Sequence, residues 1–595
     1  MASPYSNEKQ VAVATGSPPS SSDSEKVESR HVEELSPSLS QPSHPHHHEY
    51  PQGLRVDGDD LDHETEPKMT LRRGMSLLAM ALLYVGSQIP VYLFGSVPPY
   101  IYGDIGGSDR WVWYILGNLL ALAGVCPFVG SLSDLIGRRY VALLGALLLV
   151  IGSVVSTTAH SMNIFIAGNT IAGGGAGISE LTALAVTSEL APTRKRGAYV
   201  AVLVFTVLPF VPSSLFAQLI SYHSTWRYCG LITCVWNGIA MIITAVFYFP
   251  PPRPNSMGKT KKQILAEIDY VGGFLSIVGL VLFLAGLQWG GYQYEWTSAH
   301  VLVPLLIGSV FIICFFIWEA WFAKHPMFPR RLRQSPRILG LTLLITFISG
   351  ANFFSYLMFW PTQAYNVYGH DPVQVGLRTF PGGMAILVGA CVVLALLSYF
   401  RGRNKELMIV SCVLMTAGTG ALACATPYNM DKLWGLLILG GLGIGGIVVP
   451  ASIITTIICP DDLIATVTAL TLSIRVVGGC VGYCAYYNVL SGKFIPNALK
   501  YIGGPMIAGG VTDLGVIVET IKLTSVSLLG LIKELPGMDN ETLYQAVIEG
   551  GQMAYSESYK YVYLGSIAAG SISIIAACLL GEIDQFMDEH VAVVM

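Results

Sequence analysis

The chain has 595 residues, of which 52% are hydrophobic and only 12% charged, with a mean hydropathy of +0.56. Soluble domains carry about one-quarter charged residues, so this balance excludes a conventional water-soluble enzyme and a largely disordered chain, and points to a polytopic membrane protein. The net charge of −4 is split: residues 1–70 hold 13 acids and 5 Lys/Arg, and the remainder holds 25 acids and 29 Lys/Arg.

The acidic stretch is rich in Ser, Pro and His (Ser17-Pro18-Pro19-Ser20, His44-Pro45-His46-His47-His48) and has no apolar periodicity. Residues 1–70 are therefore expected to form a disordered cytoplasmic tail, and its histidines read as solvated residues rather than a metal site. No basic start, apolar run and small-residue cleavage site occurs there, so the first apolar helix is expected to act as an uncleaved anchor. From Met75 onward, apolar blocks predict fourteen spans: 75–97, 111–131, 140–159, 162–187, 198–220, 228–249, 271–289, 300–322, 337–360, 377–399, 407–425, 432–457, 464–489 and 559–580. Several contain Gly, Pro or Ser, which membrane helices tolerate.

With the tail cytoplasmic, seventeen Lys/Arg fall in inner loops, among them Arg138, Arg139, Arg194, Lys195, Arg196, Arg401, Arg403 and Lys405. The short outer loops hold only four, Arg110, Arg227, Arg378 and Lys432. This asymmetry predicts cytoplasmic termini. The sequon Asn540-Glu541-Thr542 then lies outside, in a predicted loop at 490–558, where Asn540 is a candidate glycosylation site. Segments 516–523 and 541–548 of that loop read as short amphipathic helices at the outer membrane surface. The eleven cysteines sit in or beside apolar spans and read as small apolar residues, with neither a disulfide framework nor a zinc pattern.

An internal repeat is visible. Gly173, Gly175, Gly177 and Pro192 recur 268 residues later as Gly441, Gly443, Gly445 and Pro460. Such spacing suits two similar helical halves. Gly173/Gly177, Gly441/Gly445 and Gly478/Gly482 are small-xxx-small pairs that allow close helix packing. The expected organisation is an all-α membrane protein: a six-helix bundle (71–250), a cytoplasmic linker with two inserted helices (251–336), a second six-helix bundle (337–580) and a cytoplasmic C-terminal tail (581–595).

Between the second and third spans stands Gly130-Ser131-Leu132-Ser133-Asp134-Leu135-Ile136-Gly137-Arg138-Arg139, and the next inner loop reads Glu189-Leu190-Ala191-Pro192-Thr193-Arg194-Lys195-Arg196-Gly197. The glycines permit a tight turn, and Asp134, Arg138 and Glu189 suit an ion-pair latch between helix ends. Both segments resemble signatures of the major facilitator superfamily. Asp269-Tyr270-Val271-Gly272-Gly273, Trp289-Gly290-Gly291, Trp318-Glu319, His325-Pro326-Met327-Phe328-Pro329, Tyr486-Tyr487-Asn488 and Tyr555 through Tyr563 narrow the match. The series resembles the fungal trichothecene efflux pump family, a fourteen-helix branch near the drug:proton antiporters. The resemblance covers residues 68–595 and implies the major facilitator fold, secondary transport and a gating latch of Gly130, Asp134, Gly137, Arg138, Arg139, Glu189 and Arg196. The chain departs from the antiporter pattern in three places. Asn169 stands where an Arg is common, Leu208-Pro209-Phe210-Val211-Pro212 replaces a glycine-rich pattern, and the second-half loop at Arg401-Gly402-Arg403 is degraded.

Charges inside spans are costly and mark functional candidates. Glu180 is a proton-carrier candidate, and Arg475 attracts an acidic substrate, neutralises a buried acid or bonds helix carbonyls. Glu319 reads as an anchor of the inserted helices. Asn169, Asn352 and Tyr356 belong to a polar set (with Gln88, Asn118, Gln218, Asn237 and Gln363) that suits a cavity for a bulky, mostly apolar, oxygenated molecule, alongside Phe353, Phe354, Phe359 and Trp360. The absence of a Gly-x-x-x-x-Gly-Lys-Ser/Thr loop argues against ATP drive, and no acid/base or metal constellation suggests an enzyme or a cofactor. The expectation is a monomeric, proton-linked exporter of a toxin or other secondary metabolite, in the plasma membrane or the vacuolar membrane, with no nucleic-acid partner. A siderophore importer of the same group and a non-transporting receptor are the alternatives.

Overall fold

The computed structural model describes residues 70–250, 260–266, 268–291, 293–327, 331–332, 335–400, 403–460, 463–538 and 540–587. The tail to residue 69, Arg401, Gly402 and residues 588–595 lie outside this description, as do the side chains of Ser131, Asp134, Leu135, Lys261 and Ile264.

The first half comprises α1 (Leu71–Phe94), the short α2 (Pro98–Ile105), α3 (Val112–Ile136), α4 (Arg138–Thr157), α5 (Met162–Leu190), α6 (Arg196–Phe205), α7 (Ser213–His223) and α8 (Arg227–Phe247). A short α9 (Lys261–Ala266) precedes the inserted pair α10 (Tyr270–Trp289) and α11 (Ala299–Ile317). The second half contains α12 (Pro336–Tyr368), α13 (Pro372–Tyr399), α14 (Asn404–Ala421), α15 (Met430–Val448), α16 (Pro450–Ile457), α17 (Ile464–Ala498), α18 (Gly504–Ala508), α19 (Leu514–Ser525) and α20 (Glu541–Cys578). Side-chain caps start many of these helices. Thr70 accepts from the Arg73 N–H, Asp371 from that of Val373, and Asn540 from that of Thr542, each satisfying an orphan donor of a first turn.

Among the described residues, 12 helices are long and apolar enough to cross a membrane. Two further crossings complete the predicted fourteen. One is α5, buried along almost its whole length. The other is the pair α6–α7, which the sequence suggests as one helix at 198–220. Pro209 and Pro212 remove backbone donors there, and a 3₁₀ turn at Leu208–Phe210 separates the two pieces. Large apolar side chains such as Val202, Ile242, Leu306 and Phe316 point outward, as lipid contact requires.

The 268-residue repeat is a packing repeat. A Cβ on Gly173 would stand 2.1 Å from the Asn118 carbonyl oxygen of α3, and one on Gly177 would stand 2.8 Å from that of Leu122. In the second half, Gly441 and Gly445 press in the same way on the Gly382 and Ile386 carbonyls of α13, at 2.7 and 2.0 Å. Gly175 and Gly443 face the opposite neighbours, α4 and α14. Each repeat glycine thus meets the corresponding helix of its own half. Without a hydrophobic drive between helices in lipid, such close approach supplies the packing energy.

The halves meet where α3 and α5 face α17, and where α6 and α7 lie along α13. The α10–α11 hairpin rests on both halves: Gly124 of α3 abuts Ile277, and the Asn488 amide of α17 donates to the Leu287 carbonyl at 2.5 Å. The predicted loop at 490–558 is shorter than expected. Helix α17 continues to Ala498, and α20 begins at Glu541 and runs unbroken into the last span, so segment 541–548 is the first part of that span's helix and not a separate surface helix. The 516–523 segment does form a separate helix, α19.

Candidate functional site

Three of the residues expected to form the latch make two different devices. Arg138 is the first residue of α4 and Glu189 the penultimate residue of α5, so each charge sits at the unfavourable end of its own helix dipole. They neutralise each other in a bidentate pair: the Arg138 Nη2 donates to Glu189 Oε1 at 2.9 Å, and Nη1 donates to Oε2. Gly137, between α3 and α4, has φ +91°, which makes the tight turn possible. This pair lies wholly within the first half.

Arg196 crosses between the halves. Its Nε donates to the Ser188 carbonyl at 3.1 Å, and its Nη1 donates to the Thr456 carbonyl at 2.7 Å. Those carbonyls lie in the last turns of α5 and α16, where helices leave acceptors unpaired. Ser188 and Thr456 are themselves separated by the 268-residue repeat. One guanidinium therefore clasps equivalent carbonyls of both halves. Nearby, the Ser398 hydroxyl of α13 accepts from the Ala198 N–H of α6 at 3.0 Å. Arg139 turns elsewhere, donating to the Ala245 carbonyl and lying 3.9 Å over the Phe249 ring. Gly130 lies on α3 short of the turn, and the Asp134 side chain is outside the described residues.

Glu180 and Arg475, predicted separately, form one buried ion pair. The Arg475 Nη2 of α17 donates to Glu180 Oε1 of α5, with side-chain exposures of 7% and 3%. Pro450 divides α15 from α16 and leaves the Val448 carbonyl at a helix end, where Arg475 Nη1 approaches to 3.5 Å. The Arg475 Nε has no hydrogen-bond partner among the described residues. The pair stands in the wall of a cavity between the halves, of about 110 Å³, bordered also by Tyr84, Gln88, Tyr92, Phe353 and Phe354. That is smaller than the roughly 300 Å³ or more usual for ligand pockets.

The other polar candidates do not border this cavity. Asn169 donates to the Phe165 carbonyl at 3.1 Å and to the Ser156 hydroxyl at 3.3 Å, inside the α4–α5 packing. Tyr356 donates to the Leu437 carbonyl at 3.2 Å, and Asn352 accepts from the Tyr486 hydroxyl at 3.3 Å. Reasoning from sequence missed Tyr84 and Tyr92, whose hydroxyls are inconspicuous within an apolar first span. The motif residues of the inserted hairpin also converge: Trp318 Nε1 donates to both carboxylate oxygens of Asp269 at 3.1 Å, while Asp269 caps α10.

A family model described as the fungal trichothecene efflux pump matches residues 69–595. The chain belongs to the fungal trichothecene efflux pump family. Its similarity to other members of the superfamily is broad: it is 29% identical over 398 residues to the MFS-type transporter gkaD of Penicillium citrinum, covering 66% of each chain. It is 24% identical over 522 residues to the trichothecene efflux pump TRI12 of Fusarium sporotrichioides, covering 87% of each. Among solved structures, the proton:xylose symporter XylE of the major facilitator superfamily superposes with TM-score 0.52 at 14% identity, covering 87% of this chain and 98% of that one. This efflux pump family member therefore has the major facilitator fold and is a multi-pass membrane transporter, with relatives that are transporters rather than enzymes.

Proposed function

We propose that the chain is a proton-linked exporter of a bulky, mostly apolar, oxygenated metabolite, and that it works by rocking its two halves about the central cavity. The Glu180–Arg475 pair carries this reading, because it is a buried charge contact made between the halves at the wall of that cavity. Proton binding to Glu180 removes one partner's charge and frees the Arg475 guanidinium, which weakens the seam between α5 and α17. A substrate oxygen is then a natural acceptor for Arg475. At one end of the molecule, breaking the Arg196 clasp lets α5 and α16 separate, and the Arg138–Glu189 pair holds α4 and α5 together as that half moves.

The charge asymmetry of the loops supports placing the Arg196 end in the cytoplasm, whether the chain sits in the plasma membrane or the vacuolar membrane. Asn540 is exposed, and its Oδ1 caps α20, leaving its amide nitrogen for a glycan. Loss of a gel-mobility shift in Asn540→Gln would establish that modification. The transport reading is tested by efflux of a metabolite panel from cells expressing the chain, with and without a proton uncoupler. Uncoupler-sensitive efflux that loses its pH dependence in Glu180→Gln is expected; pH-dependent efflux retained in that variant would remove Glu180 from coupling.

A further inference from the structure

A second cavity, of about 200 Å³, lies along the same seam on the far side of the central one from the Arg196 clasp. Three helices line both cavities in sequence. On α3 the lining passes from Leu119 back to Ile115, on α12 from Leu357 to Met358 and Phe359, and on α17 from Arg475 to Tyr483 and Tyr487. At 1.5 Å per residue, the two linings on α17 are about 12 Å apart. The cavities therefore lie one after the other along the seam.

Their chemistry differs. The central cavity contains a carboxylate and a guanidinium; the second contains no Asp, Glu, Lys, Arg or His among its described lining residues. Its wall is instead a continuous chain of rings. Trp111 meets Tyr487 at 6.1 Å, Tyr487 meets Tyr483 at 6.3 Å, and Tyr483 stacks on Phe359 at 5.1 Å. Phe359 meets Tyr559 at 6.4 Å, and Tyr559 meets Tyr555 at 6.1 Å. Trp111 belongs to the first half and the others to the second, so the ring chain spans the seam. Such a wall offers flat faces, while Thr362, Asn366 and Ser491 offer hydrogen bonds. Nothing in it compensates a ligand charge that loses its water.

We infer that this ring-lined cavity is a second ligand site, selective for uncharged, oxygenated molecules of two or three fused rings, through which cargo passes after leaving the Glu180–Arg475 cavity. As a release station it rests on the exporter reading above; as a binding site it is measurable without any gradient. A segment closes over it. The Tyr102 hydroxyl of α2 donates to the Val526 carbonyl at 2.6 Å, and the Tyr555 hydroxyl of α20 donates to the Ser525 carbonyl at 2.8 Å, so residues 525–526 are tied to both halves.

The test is equilibrium binding to the full chain in lipid nanodiscs, using fluorescence of 7-methoxycoumarin (neutral) and coumarin-3-carboxylate (anionic). The neutral probe is expected to bind at least about tenfold more tightly than the anion. Trp111→Leu and Tyr487→Leu should each weaken its binding by about tenfold, while Tyr487→Phe, which keeps the ring, should hold it within about twofold. Phe316→Leu, on the exposed face of α11, controls for general damage. Equal binding of both probes, absence of binding, or insensitivity to the two leucine substitutions would overturn the assignment. So would a loss in Glu180→Gln equal to that in Tyr487→Leu, since the probe would then occupy the central cavity. Failure of uncoupler-sensitive efflux would sink the exporter reading and leave this equilibrium measurement standing.

Discussion

The two halves share their glycines and differ in their charges. Gly173, Gly175 and Gly177 press on α3 and α4 as Gly441, Gly443 and Gly445 press on α13 and α14. Where the first half closes its α4–α5 corner with the Arg138–Glu189 pair, the second half, among the described residues, has neutral bonds around α14: the Asn404 amide donates to the Gly581 carbonyl at 2.8 Å, and its oxygen accepts from the Ile583 N–H at 3.2 Å. The halves also differ in continuity, since α5 is unbroken while its counterpart is split at Pro450. Backbone proximity is a demand that both bundles must meet. Charge can be placed on one side only, and the split helix supplies the carbonyl that receives the charge brought by α17.

The most severe change should be Arg475→Ala, which leaves Glu180 buried without its partner. We expect a loss of about 3–5 kcal/mol, read as a fall in the melting midpoint in nanodiscs, with partial recovery in the Glu180→Gln/Arg475→Gln double variant. A single Glu180→Gln should cost less, because Arg475 retains the Val448 carbonyl. Equal losses in the two single variants would refute that asymmetry.

Gly173→Ala and Gly441→Ala probe what the halves share. Each should cost about 1–3 kcal/mol, the first more than the second because its Cβ would stand at 2.1 rather than 2.7 Å from a carbonyl oxygen. Unchanged melting in both would show that the helices separate freely at these contacts. Arg138→Lys and Asn404→Ala probe what they do not share. Replacing the guanidinium fork with an ammonium should cost about 1–2 kcal/mol and make the loss salt-sensitive, whereas the Asn404 change should cost about 1 kcal/mol with no salt dependence. Efflux should also fall further than surface abundance in Arg138→Lys.

The smallest effects are those of pH at the end away from the clasp. His370, between α12 and α13, stacks on Tyr365 at 4.0 Å, and burial pulls its pKa down to about 4. Its neutral form therefore stabilises the fold fully above the unfolded value of about 6.5, and that contribution fades as pH falls toward 4. Asp104 in the first half is held below the ordinary carboxylate range by the Arg227 hydrogen bond, so its contribution is lost only in stronger acid. His370→Asn should flatten the pH dependence of melting between about 6.5 and 4 while Asp104→Asn leaves that window alone. A reversed pattern would contradict the assignment.

Much of the fold was legible because hydropathy, helix breakers and repeat spacing are local. The fourteen spans, the signature turn at Gly137 and the 268-residue offset all depend on neighbours in sequence. The pairing of Glu180 with Arg475 was not legible, since it depends on which faces of α5 and α17 meet. Asn169 and Tyr356 were expected at the cavity because their polar groups suit an oxygenated ligand; both found carbonyls within the packing instead. The start of α20 was misplaced for a related reason. Glu549 and Glu557 interrupt the apolar run before residue 559, although Asn540-Glu541-Thr542 also spells a helix cap. The ring chain had a partial signal in the four-residue spacing of Tyr483 with Tyr487 and of Tyr555 with Tyr559, but nothing local said that the two stripes face each other.

The Glu180–Arg475 contact also sets a timetable for synthesis. The partners are 295 residues apart, and at about 5–20 residues per second the ribosome needs roughly 15–60 s between them. Throughout that interval α5 holds a carboxyl group in the membrane before its arginine exists. The nascent first half must shelter that group with its own helices or with trapped water, so the completed seam closes late, as one of the last acts of assembly.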